Sequence, residues 1–84
     1  MKNNSHYDDL VATLLAITSK EEMTNFLEGI LTPKELLEIP TRLQIVRKLK
    51  KGIPQHQIAK ELEIGIATVT RGSKELQRGK FKNI

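Results

Sequence analysis

The sequence predicts an all-α protein, a small helical domain carrying a helix-turn-helix. Three observations support this. Apolar residues recur at three- and four-residue spacing along most of the chain, with no strand-like alternation. Thr32-Pro33-Lys34-Glu35 is a helix start, in which threonine caps, proline takes the first helical position and glutamate reaches back to close the box. Gln55 to Gly72 reads as two short helices joined by a tight turn.

Residues 1–6 are polar and are expected to fray. Tyr7 to Thr18 forms the first helix, with Leu10, Val11, Leu14, Leu15 and Ile17 on a broad apolar face. Asp8 and Asp9 fall in its first turn, where negative charge suits the helix dipole. Ser19 with Glu22 three residues later is a capping box for the second helix, whose Met23, Phe26, Leu27, Ile30 and Leu31 keep helical spacing. Gly29 inside that helix weakens it or admits another chain closely. The third helix starts at Pro33 and carries Leu36, Leu37, Ile39, Leu43, Ile45, Val46 and Leu49. Pro40 lies inside it and removes a backbone donor, so a kink or break is expected near Glu38 to Pro40, with Thr41 and Gln44 placed to recap a helix restarting there. Arg47, Lys48, Lys50 and Lys51 load its end with positive charge, and Gly52 stops it.

Pro54 precedes or starts the first motif helix. Ile58 and Leu62 share one face, and Ala59 is small where a second helix would cross. Glu63-Ile64-Gly65 forms the turn, with Ile64 pointing inward and Gly65 tolerating positive φ and close approach. Glu63 stands where this motif usually has a left-handed glycine, at a cost of about 1 kcal/mol if that geometry is kept. The last helix runs from Ile66 to about Gln77, with Ile66 and Val69 on the buried side and Ala67, Thr68, Thr70 and Arg71 facing outward. Small, hydroxyl and cationic side chains at an exposed helix start suit a DNA major groove. The alternative is an ordinary αα-hairpin in a helical bundle. Gly79 to Ile84 is too short and too basic for a further helix.

Eighty-four residues make one small domain, with dimerisation helices over about 7–51 and the helix-turn-helix over about 54–77. A domain of this size buries a limited core. Cysteine is absent, which removes disulfides and thiolate metal sites, and His6 and His56 are too far apart in sequence to form a ligand cluster. Dimerisation is the remaining common support. No apolar run approaches membrane-span length and no signal-peptide pattern opens the chain, so a soluble, cytoplasmic protein without a membrane partner is expected. The formal charge of +4 is divided unevenly. Residues 1–40 hold three lysines against seven acids, and residues 41–84 hold eleven Lys or Arg against three acids. A basic half that coincides with a helix-turn-helix points to nucleic acid. No acid pair in an apolar setting, nucleophile set, phosphate-binding glycine loop or metal motif is present, so neither an enzyme nor a cofactor is expected.

Three stretches together carry a more specific pattern: Leu31-Thr32-Pro33-x-Glu35, Thr41-Arg42-Leu43-x-Ile45-Val46, and Glu61-Leu62-x-x-Gly65-Ile66-Ala67-Thr68-Val69-Thr70-Arg71-Gly72-Ser73. This pattern, covering about Leu27 to Leu76, resembles the Trp repressor family. The resemblance implies an intertwined all-helical homodimer that binds free L-tryptophan as corepressor and then a palindromic double-stranded operator. It assigns Arg42 and Arg71 to the two arginines that stack the indole, a task suited to planar guanidiniums that also attract a carboxylate. Thr32 matches a threonine reaching the amino acid from the partner subunit, and Val46 and Leu27 match pocket positions. Gly72 lets the ligand lie close to the reading helix. Gln55, His56, Ile66, Ala67, Thr68 and Thr70 match the DNA-facing surface, with Lys60 and Lys74 added as cationic contacts.

Each assignment has a plainer counterpart. Arg42 has Glu35 and Glu38 within reach on its own helix, Arg71 suits a phosphate, and Thr32 is already a helix cap. The chain also departs from the family pattern. Glu75 replaces a serine near the ligand amino group, and a carboxylate there pairs with an ammonium or favours another ligand. Gly29 replaces a bulkier pocket residue, His56 a base-reading arginine and Ala59 a lysine. The approach to the first motif helix is one residue shorter, and the family's last helix is missing. The expected function is therefore a tryptophan-responsive DNA-binding repressor of tryptophan-related genes. Two alternatives are a regulator of the same build answering to another ligand or to none, and a helical protein-interaction module built on the acidic half.

Overall fold

The computed structural model describes residues 4–84. Its described residues form five α-helices and no strand: α1 (Asn4–Ala16), α2 (Lys20–Ile30), α3 (Pro33–Lys50), α4 (Gln55–Leu62) and α5 (Ile66–Gln77). By contacts the chain divides into two compact units, Met1–Leu36 and Leu37–Ile84.

In the first unit α1 starts at Asn4 rather than Tyr7, which moves Asp8 and Asp9 out of the first turn. Residues 4–9 are all exposed, so this added turn carries no apolar periodicity by which to see it. The fraying expected of residues 1–3 lies outside the described residues. α1 ends at Ala16, short of Thr18, because Ser19 already adopts the extended conformation that caps α2. Ser19 Oγ accepts the Glu22 N–H at 3.1 Å, one half of the expected box. At the head of α3 both halves form: Thr32 N–H donates to Glu35 Oε1 at 2.9 Å, and Glu35 N–H donates to Thr32 Oγ1 at 3.2 Å. No residue of α1 or α2 is fully buried. Leu10, Leu14, Met23, Phe26 and Leu27 are half-buried, whereas Leu15 is 79% exposed and Ile30 52%.

Pro40 does not break α3, which is helical from Pro33 to Lys50. Thr41 does not recap it either, since its hydroxyl donates to the Leu37 carbonyl at 2.9 Å inside the helix. Pro40 is exposed, and the helix continues through it although the Leu36 carbonyl loses its usual intrahelical donor. The end of α3 is as expected. Gly52 sits at φ 82°, its N–H donates to the Leu49 carbonyl and the Ile53 N–H to the Lys48 carbonyl, which together make a Schellman closure.

The second unit is built around Ile45 from α3, Ile58 from α4 and Val69 from α5, all buried. Leu49, Ile53, Ala59, Leu62 and Ile64 pack against them. Each fully buried side chain of this kind contributes about 1.5–3 kcal/mol. Glu63 adopts φ 55°, ψ 47°, the left-handed geometry expected at the turn. Gly65 uses neither positive φ nor close approach. It lies at φ −70°, ψ 146° as the N-cap of α5, and a Cβ there would meet nothing. Ile66 is 49% exposed rather than buried with Val69, because Ile64 packs on the core ahead of it and α5 meets the core one turn later.

Two measurements follow from this unit. Glu63→Gly removes the left-handed penalty and is expected to raise stability by about 1 kcal/mol, read as a melting-temperature increase of about 4–8 °C. Glu61 accepts from Gln57 Nε2 and from Lys48 Nζ, each at 3.1 Å. These bonds, Gln57 first and Lys48 second, hold its carboxyl below the ordinary glutamate value. The unfolded chain then binds more protons in acid, so this stabilisation is present above the ordinary value and is lost as pH falls through the folded one. The melting-temperature gap between wild type and Glu61→Gln is accordingly expected at pH 6 and to close below about pH 4.

Candidate ligand cavity and nucleic-acid face

Helices α3 and α5 meet closely at one point. A Cβ built on Gly72 would stand 3.0 Å from Ile45 Cγ2 and 3.8 Å from Leu49 Cδ1. The expected role of this glycine was to admit a ligand, but the close neighbour in the structure is Ile45. Beside the crossing the two helices enclose a half-open cavity of about 570 Å³. Ile39, Arg42, Leu43, Ile45 and Val46 of α3 line it, with Ala67, Thr68, Arg71, Gly72 and Glu75 of α5 and Phe81 beyond.

The expected ligand residues Arg42, Val46, Arg71, Gly72 and Glu75 are thus brought together. Val46 is buried, and both arginines are exposed at the cavity. Neither guanidinium makes an ion pair or hydrogen bond among the described residues, so Arg42 pairs with neither Glu35 nor Glu38. Glu75 Oε1 accepts from Arg78 Nη1 at 3.1 Å, which leaves Oε2 without a protein partner among the described residues. Thr32 and Leu27 belong to the first unit and are absent from the lining. Thr32 spends its backbone N–H and one hydroxyl lone pair on the capping box and retains its O–H to donate.

Four lining residues were not singled out for the site from sequence. Ile39, Leu43 and Val46 are four and three apart, so the face of α3 that carries them beside Arg42 was open to inspection. Ile45 was expected in the helix but not at the site. Phe81 gave no signal, standing between Lys80 and Lys82 in a stretch without periodicity.

The expected DNA-facing residues lie on α4 and α5. His56, Lys60, Ile66, Ala67, Thr68 and Lys74 are exposed. His56, Lys60 and Lys74 have no hydrogen-bond or ion-pair partner among the described residues. Gln55 and Thr70 are half-buried and bonded to each other, with Thr70 Oγ1 2.8 Å from Gln55 Oε1 and 3.0 Å from the Ile66 carbonyl. That contact ties the start of α4 to α5 and fixes the crossing of the two helices. A small side chain at Ala67, the exposed hydroxyl of Thr68 and cations on the flanks make a surface suited to a groove and to phosphates, while the Thr70 hydroxyl is engaged within the protein.

The family model described as Trp repressor protein matches residues 5–83. The chain belongs to the Trp repressor family. Members of the Trp repressor family are transcription regulators and not enzymes. A Trp operon repressor homolog of Actinobacillus succinogenes is 36% identical over 77 residues, covering 90% of this chain and 76% of the relative. One from Vibrio campbellii is 33% identical over 81 residues, covering 92% and 81%. One from Vibrio vulnificus reaches 49% over 49 residues, covering 57% of this chain and 48% of the relative. No solved structure matches significantly. No helix among the described residues is long and apolar enough to cross a membrane.

The Gly72 crossing gives a direct test. Gly72→Val forces α3 and α5 apart, because the new side chain begins inside van der Waals range of Ile45. Overpacking of this kind costs about 1–3 kcal/mol, more than the roughly 1 kcal/mol regained by removing a helical glycine. A thermal melt is expected to show net destabilisation, and Gly72→Ala the same effect in smaller measure.

Proposed function

We propose that this chain is a homodimeric, sequence-specific DNA-binding repressor that uses L-tryptophan as corepressor to regulate tryptophan-related genes. One observation supports the ligand reading: two guanidiniums without partners among the described residues border a cavity whose remaining walls are largely apolar. An aromatic amino acid suits it. The indole lies against Val46 and between Arg42 and Arg71, as planar cations accept an aromatic face. The same arginines attract the carboxylate, and the open oxygen of Glu75 accepts the ammonium. Gly72 adds only backbone to the lining, its missing side chain being the space that Ile45 approaches. Thr32 and Leu27 complete the site from a second copy, as family membership suggests.

The apolar residues left exposed on α1 and α2, Val11, Leu15 and Ile30 among them, supply the surface for that second copy. Gly29, where a Cβ would meet nothing, leaves room for it. In the dimer, two α5 helices are set about one DNA turn apart, about 34 Å, with Ile66, Ala67, Thr68 and Thr70 toward the groove. Gln55, His56, Lys60 and Lys74 meet the flanking backbone, where cationic contacts release counterions and make affinity fall with salt. Tryptophan promotes DNA binding to the extent that it binds the DNA-competent arrangement more tightly than the alternative. The Arg78–Glu75 pair motivates a second reading, in which the same DNA-binding regulator answers to a ligand other than tryptophan.

The chain contains no tryptophan and one tyrosine, so the emission of added L-tryptophan reports its own binding. Its anisotropy is expected to rise on titration with protein. Arg71→Ala is expected to weaken binding about 10- to 100-fold, the loss of one charge-assisted contact. Operator selection from random duplexes, with and without L-tryptophan, is expected to yield a palindromic site only with the ligand. Equal DNA affinity in both arms supports the second reading, and no duplex binding even at low salt removes the DNA reading.

A further inference from the structure

We infer that Phe81, carried on the short segment after α5 and held in place by Lys50, is an aromatic wall of the ligand cavity. The inference rests on the aromatic-ligand reading of that cavity and adds a residue and its support to it.

Helix α5 ends at Gln77, and the chain turns back immediately. Gly79 lies at φ 84°, its N–H donates to the Leu76 carbonyl at 3.0 Å and the Lys80 N–H to the Glu75 carbonyl at 3.3 Å. This is a second Schellman closure. Residues 78–83 form turns, and the Lys50 ammonium reaches this segment from the end of α3. Lys50 Nζ donates to the carbonyl oxygen of Phe81 and, at 2.6 Å, to a main-chain oxygen of Ile84. An ammonium presents three donors on a flexible stem, so one lysine can gather two main-chain oxygens of an otherwise irregular segment.

The consequence is local. Gathering those oxygens sets the backbone at Phe81, whose half-buried ring then joins Ile39 and Leu43 in the lining. The cations of the lining, Arg42 and Arg71, supply polar recognition, and Phe81 supplies an apolar, polarizable face. Offset or edge-to-face contact between aromatic rings adds to simple apolar burial. Lys50 acts as a positioning residue through its grip on the segment, and Phe81 is the residue that meets the ring.

The test is titration of L-tryptophan emission into the full-length wild type, Phe81→Ala, Phe81→Tyr, Lys50→Met and the Lys50→Met/Phe81→Ala double variant. L-leucine serves as a competing aliphatic probe, and melting temperature is recorded for each protein. Phe81→Ala is expected to weaken L-tryptophan binding about three- to tenfold while leaving L-leucine competition within twofold, and Phe81→Tyr to stay within twofold of wild type. Lys50→Met is expected to weaken binding in the presence of Phe81 and to add nothing in its absence. A purely structural loss lowers both ligands alike and overturns the inference. So does a Phe81→Ala protein that binds tryptophan as well as or better than wild type, which makes the ring a filler of the cavity and not its wall. A wild type that ignores tryptophan removes the corepressor reading and this inference together, and the wild-type arm alone reveals it.

Discussion

The backbone of α5 comes so near α3 at Gly72 that one added carbon would sit 3.0 Å from Ile45 Cγ2. Much of the second unit follows from that approach. Ile45 is buried there with Ile58 and Val69, so the same side chain anchors the helix-turn-helix and defines the crossing. The cavity that Arg42 and Arg71 line adjoins that point, with Ile45 and Gly72 themselves in its wall. A bulkier residue at 72 would alter the core and the cavity in one step. Protein interiors are dense enough that such a change is transmitted and not absorbed.

The basic half of the chain is not a uniform cationic surface. Lys48 is committed to Glu61, Arg78 to Glu75 and Lys50 to main-chain oxygens of Phe81 and Ile84. The first ties α3 to α4 and the third ties the end of α3 to the segment after α5, whereas the Arg78–Glu75 pair is local to the end of α5. Among the described residues Arg42 and Arg71 have no partner at the cavity, and His56, Lys60 and Lys74 have none on α4 and α5. The distribution separates cations that maintain the fold from cations available to a ligand or a phosphate. Net charge alone does not make this distinction.

Much of this was legible in the residues, for reasons that differ from place to place. The α3 start was readable because a capping box is local and both of its hydrogen bonds lie within three residues. The left-handed turn was readable at Glu63 because the motif fixes which position carries positive φ. Ile66 was misplaced because spacing alone ranks it with Val69, whereas the competition is settled by Ile64 reaching the core from the turn. Pro40 marks a place where a helix can kink, break or continue, and local pattern does not decide among these, whereas α3 runs unbroken to Lys50. Arg42, Val46, Arg71, Gly72 and Glu75 were expected together from family resemblance and line one cavity, whereas Thr32 and Leu27, expected with them, are absent from that lining. Phe81 was invisible because its place depends on Lys50, thirty-one residues away.

The position of the cavity also constrains how a ligand can act. Its walls are one helix that packs on α4 and another that carries the anchoring Ile45, so an occupant bridges α3 to the helix proposed to read DNA. The core behind that bridge is small, with Ile45, Ile58 and Val69 as its fully buried centre. A small apolar centre limits how strongly the packing alone can favour one tilt of α5 over another. A ligand held by both helices adds contacts that exist only at particular tilts, and a modest differential affinity then suffices to shift the population. On the proposed function, the weakness of the core is therefore what allows a molecule the size of an amino acid to control the reading head.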